Sequence, residues 1–201
     1  MVLTFNTLED DWVIKYNIEA ASYLAQMLQI GQPNMPSVGI VSPTNGSVVY
    51  RSGYTGPGNV HVFFGHGSSV DIDRLDPQEF SNSLRKVPLI NKNPLLLVSC
   101  FSGRFAYAEI VAHELGVDVF APEGACIFSK LRYAVVNGDY VNRVSDEQDR
   151  LYNQGLSSEE IFTQLTDFVK QKNYGTVDYW FTIKDIHNDF TKMGFRKFAG
   201  Q

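Results

Sequence analysis

The sequence predicts an α/β protein, built on a caspase-like, mainly parallel sheet flanked by helices and carrying extra β-hairpins. Three observations lead to the parallel sheet. The apolar runs at 60–65, 95–99 and 117–121 have the length and composition of buried strands. Helix signals separate them: Asp76-Pro77-Gln78-Glu79 opens one helix, and Gly116 stops a second. The order strand, helix, strand, helix, strand then requires parallel strands joined by right-handed crossovers.

Taken in chain order, residues 12–30 read as a helix, with Ile18, Ala21, Leu24, Ala25 and Leu28 on one face. Residues 38–41 and 48–50 read as a hairpin around Pro43-Thr44-Asn45-Gly46. A glycine-rich loop at 53–59 feeds the strand that delivers His66-Gly67-Ser68-Ser69. The next helix has Asp76 as N-cap, Pro77 at its first position and Glu79 closing a capping box. Leu75 and Phe80 form its staple, and it runs to about residue 86. Strand 95–99 delivers Cys100. The helix after Gly103 buries Phe105, Ala108, Val111, Ala112 and Leu115. Strand 117–121 ends at Pro122-Glu123-Gly124. Beyond it, 126–128 and 132–136 read as strands, with Asn137-Gly138 turning the chain into a third at 139–141. A last helix opens at Ser157, with Glu160 in the capping box and Leu156 and Ile161 as staple, and continues to about residue 172. The aromatic tail packs on the core. One domain spans 1–201: a core at 37–124, the helix at 12–30 and a C-terminal elaboration at 125–201.

Composition limits the function classes. A chain of 201 residues with 44% hydrophobic content suits one core-forming domain. No segment reaches the run of about 18 apolar residues that a membrane span needs, and the first residues lack a signal-peptide layout. A cytoplasmic protein, or an internal domain of a longer chain, is therefore expected. The net charge of −5, with no basic cluster beyond 192–197, argues against nucleic acid as a partner. Two cysteines and four histidines show no metal-ligand spacing, so neither a metal nor a disulfide scaffold is expected.

The chemistry lies at two strand ends. A parallel sheet places its site at the carboxyl edge, where neighbouring strands would bring an imidazole and a thiol together. His66 can take the proton of Cys100 and make it a nucleophile. The amides of Gly67 and Cys100 are the expected oxyanion donors, since a missing side chain at Gly67 lets backbone approach substrate closely. Gly103, just before a helix, adds the positive end of a helix dipole. Ser68 and Glu123, which leave neighbouring strands, are expected to border a protein or peptide substrate.

At these residues, FFGHG at 63–67 and LLLVSC at 95–100, the chain resembles the clan CD cysteine peptidases, which include caspases, legumain and gingipains. Within the clan it is most similar to the autoprocessing cysteine protease domains of large bacterial toxins. The resemblance covers about residues 59–124 and implies a caspase-like core with a Cys-His dyad. It also implies autoprocessing, and delivery to a target cell as part of a toxin or effector as the other setting. The toxin domains are activated by inositol hexakisphosphate on clustered Lys and Arg. Here the basic residues, among them Arg51, Arg74, Arg85, Lys86, Lys130, Arg132, Arg143, Lys192, Arg196 and Lys197, are scattered in sequence. No residue matches the basic pocket behind a caspase's preference for aspartate.

Other constellations are weaker. Arg104 follows Cys100 too soon to complete a phosphatase loop, and no G-x-S-x-G elbow exists. Cys126 reads as structural. His61 shares a strand face with Phe63 rather than with the His66 side. His113 and Glu109 form an exposed pair one helical turn apart, and His187 carries no motif. Two readings remain: a cysteine endopeptidase, or a catalytically silent caspase-like module that binds or scaffolds.

Overall fold

The computed structural model describes residues 38–41, 48–51, 61–64, 67–72, 74–85, 92–128, 132–179 and 189–201, with backbone alone at 38–41, 48–51, 61, 62, 64 and 128. The helix expected at 12–30 lies outside these residues. The strands are β1 (Val38–Val41), β2 (Val48–Arg51), β3 (His61–Phe64), β4 (Leu95–Val98), β5 (Val119–Pro122), β6 (Cys126–Phe128), β7 (Arg132–Val136), β8 (Gly175–Tyr179) and β9 (Phe195–Phe198). The helices are α1 (Pro77–Leu84), α2 (Tyr107–Leu115), α3 (Val141–Asn153) and α4 (Ser158–Lys172).

The protein is α/β. Its larger sheet runs β2-β1-β3-β4-β5-β9, and the smaller one β6-β7-β8. Strands β1, β3, β4 and β5 are mutually parallel, whereas β2 and β9 close the two edges antiparallel. The expected side-by-side, parallel arrangement of the strands leading to 66, 100 and 122 is what the sheet contains.

Both faces of the central strands are covered, and strand alternation divides the core between them. On one face Leu95 and Leu97 of β4 pack with Phe63, Val119, Ala121 and the apolar stripes of α1 and α2. On the other, Leu96 and Val98 pack with Phe120, β6, β7, α3 and α4. All four β4 side chains are buried. That explains why this run is continuously apolar rather than alternating.

The caps behave as their residue types demand. Asp76 accepts from the amides of Gln78 and Glu79 at 2.9 and 2.8 Å, while Glu79 reaches back to the Asp76 amide at 3.2 Å. Ser157 and Glu160 form the same reciprocal box on α4. Gly116 ends α2 with φ 66°, a left-handed conformation that glycine adopts without penalty. Between α1 and α2, Arg85 donates to the Glu114 carboxylate at 2.7 Å.

Three expectations change. Residues 139–141 are not a strand: Gly138–Tyr140 is a 3₁₀ turn running directly into α3. The Asn137 carboxamide accepts from the Asp139 amide at 3.2 Å, so Asn-Gly caps a helical turn instead of folding a hairpin. The strands beside β7 are β6 and, two helices later, β8. Phe105 is not on the buried stripe; α2 begins two residues later, Phe105 is 62% exposed, and Tyr107 packs inward, donating to Leu75 O at 3.1 Å. Finally, the tail does more than pack on the core. Strand β9 joins the main sheet beside β5, with Lys197 paired to Asp118 at 2.7 Å, so the core sheet extends beyond 37–124.

Leu97 lies fully buried in the strand between β3 and β5. Leu97→Ala is expected to lower unfolding stability by about 2–5 kcal/mol through lost burial and the cavity left behind. Urea denaturation should show a lower midpoint with an unchanged slope.

Candidate active site

Strands β3 and β4 pair in register from His61 with Leu95 to Phe64 with Val98, so both leave the sheet at the same edge. Immediately after β4 the chain folds into a tight turn. Ser99 O accepts from the Ser102 amide at 3.3 Å and from its hydroxyl at 2.8 Å, and Phe101 O accepts from the Arg104 amide at 3.0 Å. Phe101 has φ 61°, a left-handed conformation unusual for a bulky residue and costing about 1–2 kcal/mol. Its ring is buried, and its amide is tied to Gly124 O at 2.8 Å; Gly103 N is tied to Pro122 O at the same distance. These bonds to the chain leaving β5 hold the strained turn in place.

The turn after β3 sits directly on this one. A Cβ on Gly67 would lie 2.0 Å from Ser99 Oγ and 2.9 Å from Cys100 O. The absent side chain at Gly67 therefore lets backbone approach backbone, where the sequence suggested approach to substrate. Ser99 itself is buried, and among the described residues its hydroxyl has no hydrogen-bond partner. No sequence signal marks that orphan group.

The sequence predicts Cys100 as a nucleophile at the carboxyl edge of the sheet, facing substrate. It is instead 9% exposed and continues the β4 face that carries Leu96 and Val98. The Cys126 amide donates to its Sγ at 3.3 Å, and the thiol faces Cys126 O at 3.8 Å. Burial pushes the Cys100 thiol up from its usual value, and the amides of Cys126 and Cys100 offset part of that rise. Cys126 is also buried, and burial together with the neighbouring Cys100 raises its thiol well above the usual range. Sequence reading took Cys126 as a structural strand residue and missed that its peptide group rests on the other thiol, 26 residues away.

His66, the expected base, lies outside the described residues. Ser68 accepts from the Val70 and Asp71 amides at 3.2 and 3.1 Å, which gives its hydroxyl a part in shaping its own loop. Glu123 leaves β5 as expected and pairs with Arg196 at 3.0 Å, both groups more than half exposed. It borders a cleft of about 220 Å³ together with Gly124, Asn137, Gly138 and Thr176. That is smaller than the roughly 300–1,000 Å³ of a drug-sized ligand site. Among the expected site residues, the structure thus brings Gly67 and Cys100 together, while Glu123 faces an adjoining cleft. The outward placement of Glu109 and His113 agrees with the sequence.

Several of the scattered basic residues have acidic partners in different parts of the fold: Arg85 with Glu114, Arg132 with Asp167, Arg196 with Glu123 and Lys197 with Asp118. Among the described residues no group of three or more His, Cys, Asp or Glu could hold a metal ion. Within the same residues no helix is long and apolar enough to cross a membrane.

The fold and this edge define an α/β protein with a cysteine on the turn that follows a central parallel strand. The family model described as Domain of unknown function (DUF8616) matches residues 38–142, more than half of the 201-residue chain, and the chain belongs to that family. The matched span runs from β1 to the start of α3 and includes residues 66, 67, 100, 123 and 126. A search of curated proteins finds no match.

Gly67→Ala forces a methyl group into the Ser99 hydroxyl and the Cys100 carbonyl. A loss of about 1–3 kcal/mol is expected from this overpacking. Adding Ser99→Ala should recover part of it, because the second change removes the nearest clashing atom. A urea double-mutant cycle measures the coupling, and strict additivity would contradict the contact.

The thiols also set an alkaline limit. Both folded-state values are raised above the usual 9.0, so the folded chain keeps protons that the unfolded chain gives up. Their contribution is complete below the unfolded value and is lost as pH rises through the folded ones. The urea midpoint should fall above about pH 9, and Cys126→Ala should flatten that fall.

Proposed function

We propose that this chain is a caspase-like cysteine endopeptidase that works with a Cys100–His66 dyad. The observation that carries the reading is the register of the two central strands. His61 pairs with Leu95 and Phe64 with Val98, so the two strands end level with one another, each two residues before the position, 66 or 100, that the dyad needs. Gly67, the covalent neighbour of His66, rests on the Cys100 carbonyl, which supports a short path between the two exits. The strained conformation of Phe101, directly after the thiol, is the kind of outlier that concentrates at working sites.

In this reading His66 accepts the thiol proton, and Sγ of Cys100 attacks the scissile carbonyl carbon. The amides of Gly67 and Cys100 steady the developing oxyanion. His66 returns the proton to the leaving amine, and a water activated by the same imidazole then hydrolyses the thioester and frees the thiol. The substrate is a protein or peptide, the flanking chain of the same protein included. A toxin- or effector-borne setting and inositol hexakisphosphate as activator belong to the same proposal and rest on the resemblance alone.

A second reading has its own observation. A buried thiol held in its protonated form is a poor nucleophile, and the enclosure of Cys100 favours a silent caspase-like module that binds or scaffolds.

Digestion of a diverse peptide library separates the two. The peptidase reading expects cleavage that Cys100→Ala abolishes and His66→Ala lowers by about a hundredfold or more. His61→Ala should leave turnover nearly unchanged. Cleavage that survives Cys100→Ala would sink the assignment. A folded chain that cleaves nothing and takes up no thiol-reactive peptide probe, even with the cover over Cys100 loosened, would leave the binding module as the reading.

A further inference from the structure

Cys100 is the thiol the proposed chemistry needs, yet it is covered, and the cover is a short, identifiable piece of chain. Residues 122–126 leave β5, run alongside the turn that carries Cys100, and enter β6. Three contacts fasten this strap to the turn: Gly103 N to Pro122 O at 2.8 Å, Phe101 N to Gly124 O at 2.8 Å, and Cys126 N to Cys100 Sγ at 3.3 Å. The first two are ordinary peptide hydrogen bonds. The third is of another kind, because a thiol sulfur is a weak acceptor and satisfies a peptide donor poorly. The contact over the thiol itself is therefore the weak one.

From behind, the strap is held by β7. Val136 N donates to Ala125 O at 2.7 Å, and a Cβ on Gly124 would lie 1.7 Å from Val136 O. Its outer residue, Glu123, is anchored by a solvent-exposed pair with Arg196, a kind of contact that holds little. The two thiols also differ in cover: Cys100 keeps 9% exposure at the sheet edge, whereas Cys126 keeps 3%.

We propose that residues 122–126 form an autoinhibitory strap, which covers Cys100 in the resting protein and frees it by local release while the rest of the fold stays intact. What the freed thiol then does rests on the peptidase reading; the covering and its release do not.

Thiol labelling of the full chain tests this directly. N-ethylmaleimide is applied across a series of urea concentrations below the unfolding transition, and Cys100 and Cys126 are read separately by peptide mass spectrometry. Because Cys126 belongs to the strap, local release predicts that Cys100 and Cys126 both label at a rate almost independent of urea below the transition. Labelling of both cysteines together, with one steep urea dependence, would overturn the strap and make Cys100 a plain core residue. Gly124→Ala, whose methyl group meets Val136 O, should speed the labelling of both cysteines about tenfold without adding urea dependence; if that variant does not fold, the unmodified chain still decides the matter. Fast local labelling of Cys100 with no peptide turnover in the folded Gly124→Ala chain supports the strap and removes the peptidase. Turnover by a chain whose Cys100 labels only on global unfolding removes the strap and keeps the peptidase.

Discussion

Strand β4 is enclosed on every side: β3 and β5 pair with it in parallel, and packed layers cover both of its faces. A chain leaving such a strand meets other backbone almost at once, and the exit has to be made of residues that tolerate close approach. Ser99, Ser102 and Gly103 are small for that reason. A Cβ on Gly103 would stand 2.7 Å from Ala121 O, as one on Gly67 would strike Ser99. Phe101 is the exception in size, and it occupies a left-handed conformation held by its amide bond to Gly124. The geometry around Cys100 follows from backbone clearance more than from any side-chain network.

The same enclosure explains why the thiol is muted. The layer of β6, β7, α3 and α4 that buries Leu96 and Val98 extends past the end of β4 and reaches Cys100. Desolvation then favours the protonated thiol, because no positive charge among the described residues offsets it. Packing and exposure are in opposition at this residue: what completes the core on this face also covers the thiol.

At the far edge, β9 gives the sheet a border of exposed ion pairs. Lys197 pairs with Asp118 and Arg196 with Glu123, and Arg196 also lies over the Phe198 ring at 4.9 Å. The antiparallel edge thus takes charge outward while Phe195 and Phe198 face the two core layers. It also ties the last residues of the chain to the segment that covers Cys100, through Glu123.

The central βαβαβ order, the two capping boxes, the Gly116 stop and the positions of Gly67 and Cys100 at neighbouring strand ends are all determined by local pattern. Apolar runs, caps and glycines act within a few residues of themselves, and so they can be read in order along the chain. Asn137-Gly138 misled because the dipeptide suits a hairpin corner and a helix entry alike, and only the packing of Val141, Val144 and Leu151 chooses between them. The pairing of β8 with β7, the return of β9 to β5 and the seating of Cys126 on Cys100 join residues distant in sequence, so no local pattern contains them. Whether a cysteine at a strand end stands open or lies covered depends on which distant segment fills the space beside it. The sequence therefore determined where the thiol sits, and the tertiary structure decided that it is covered, because burial is a property of the assembled layers.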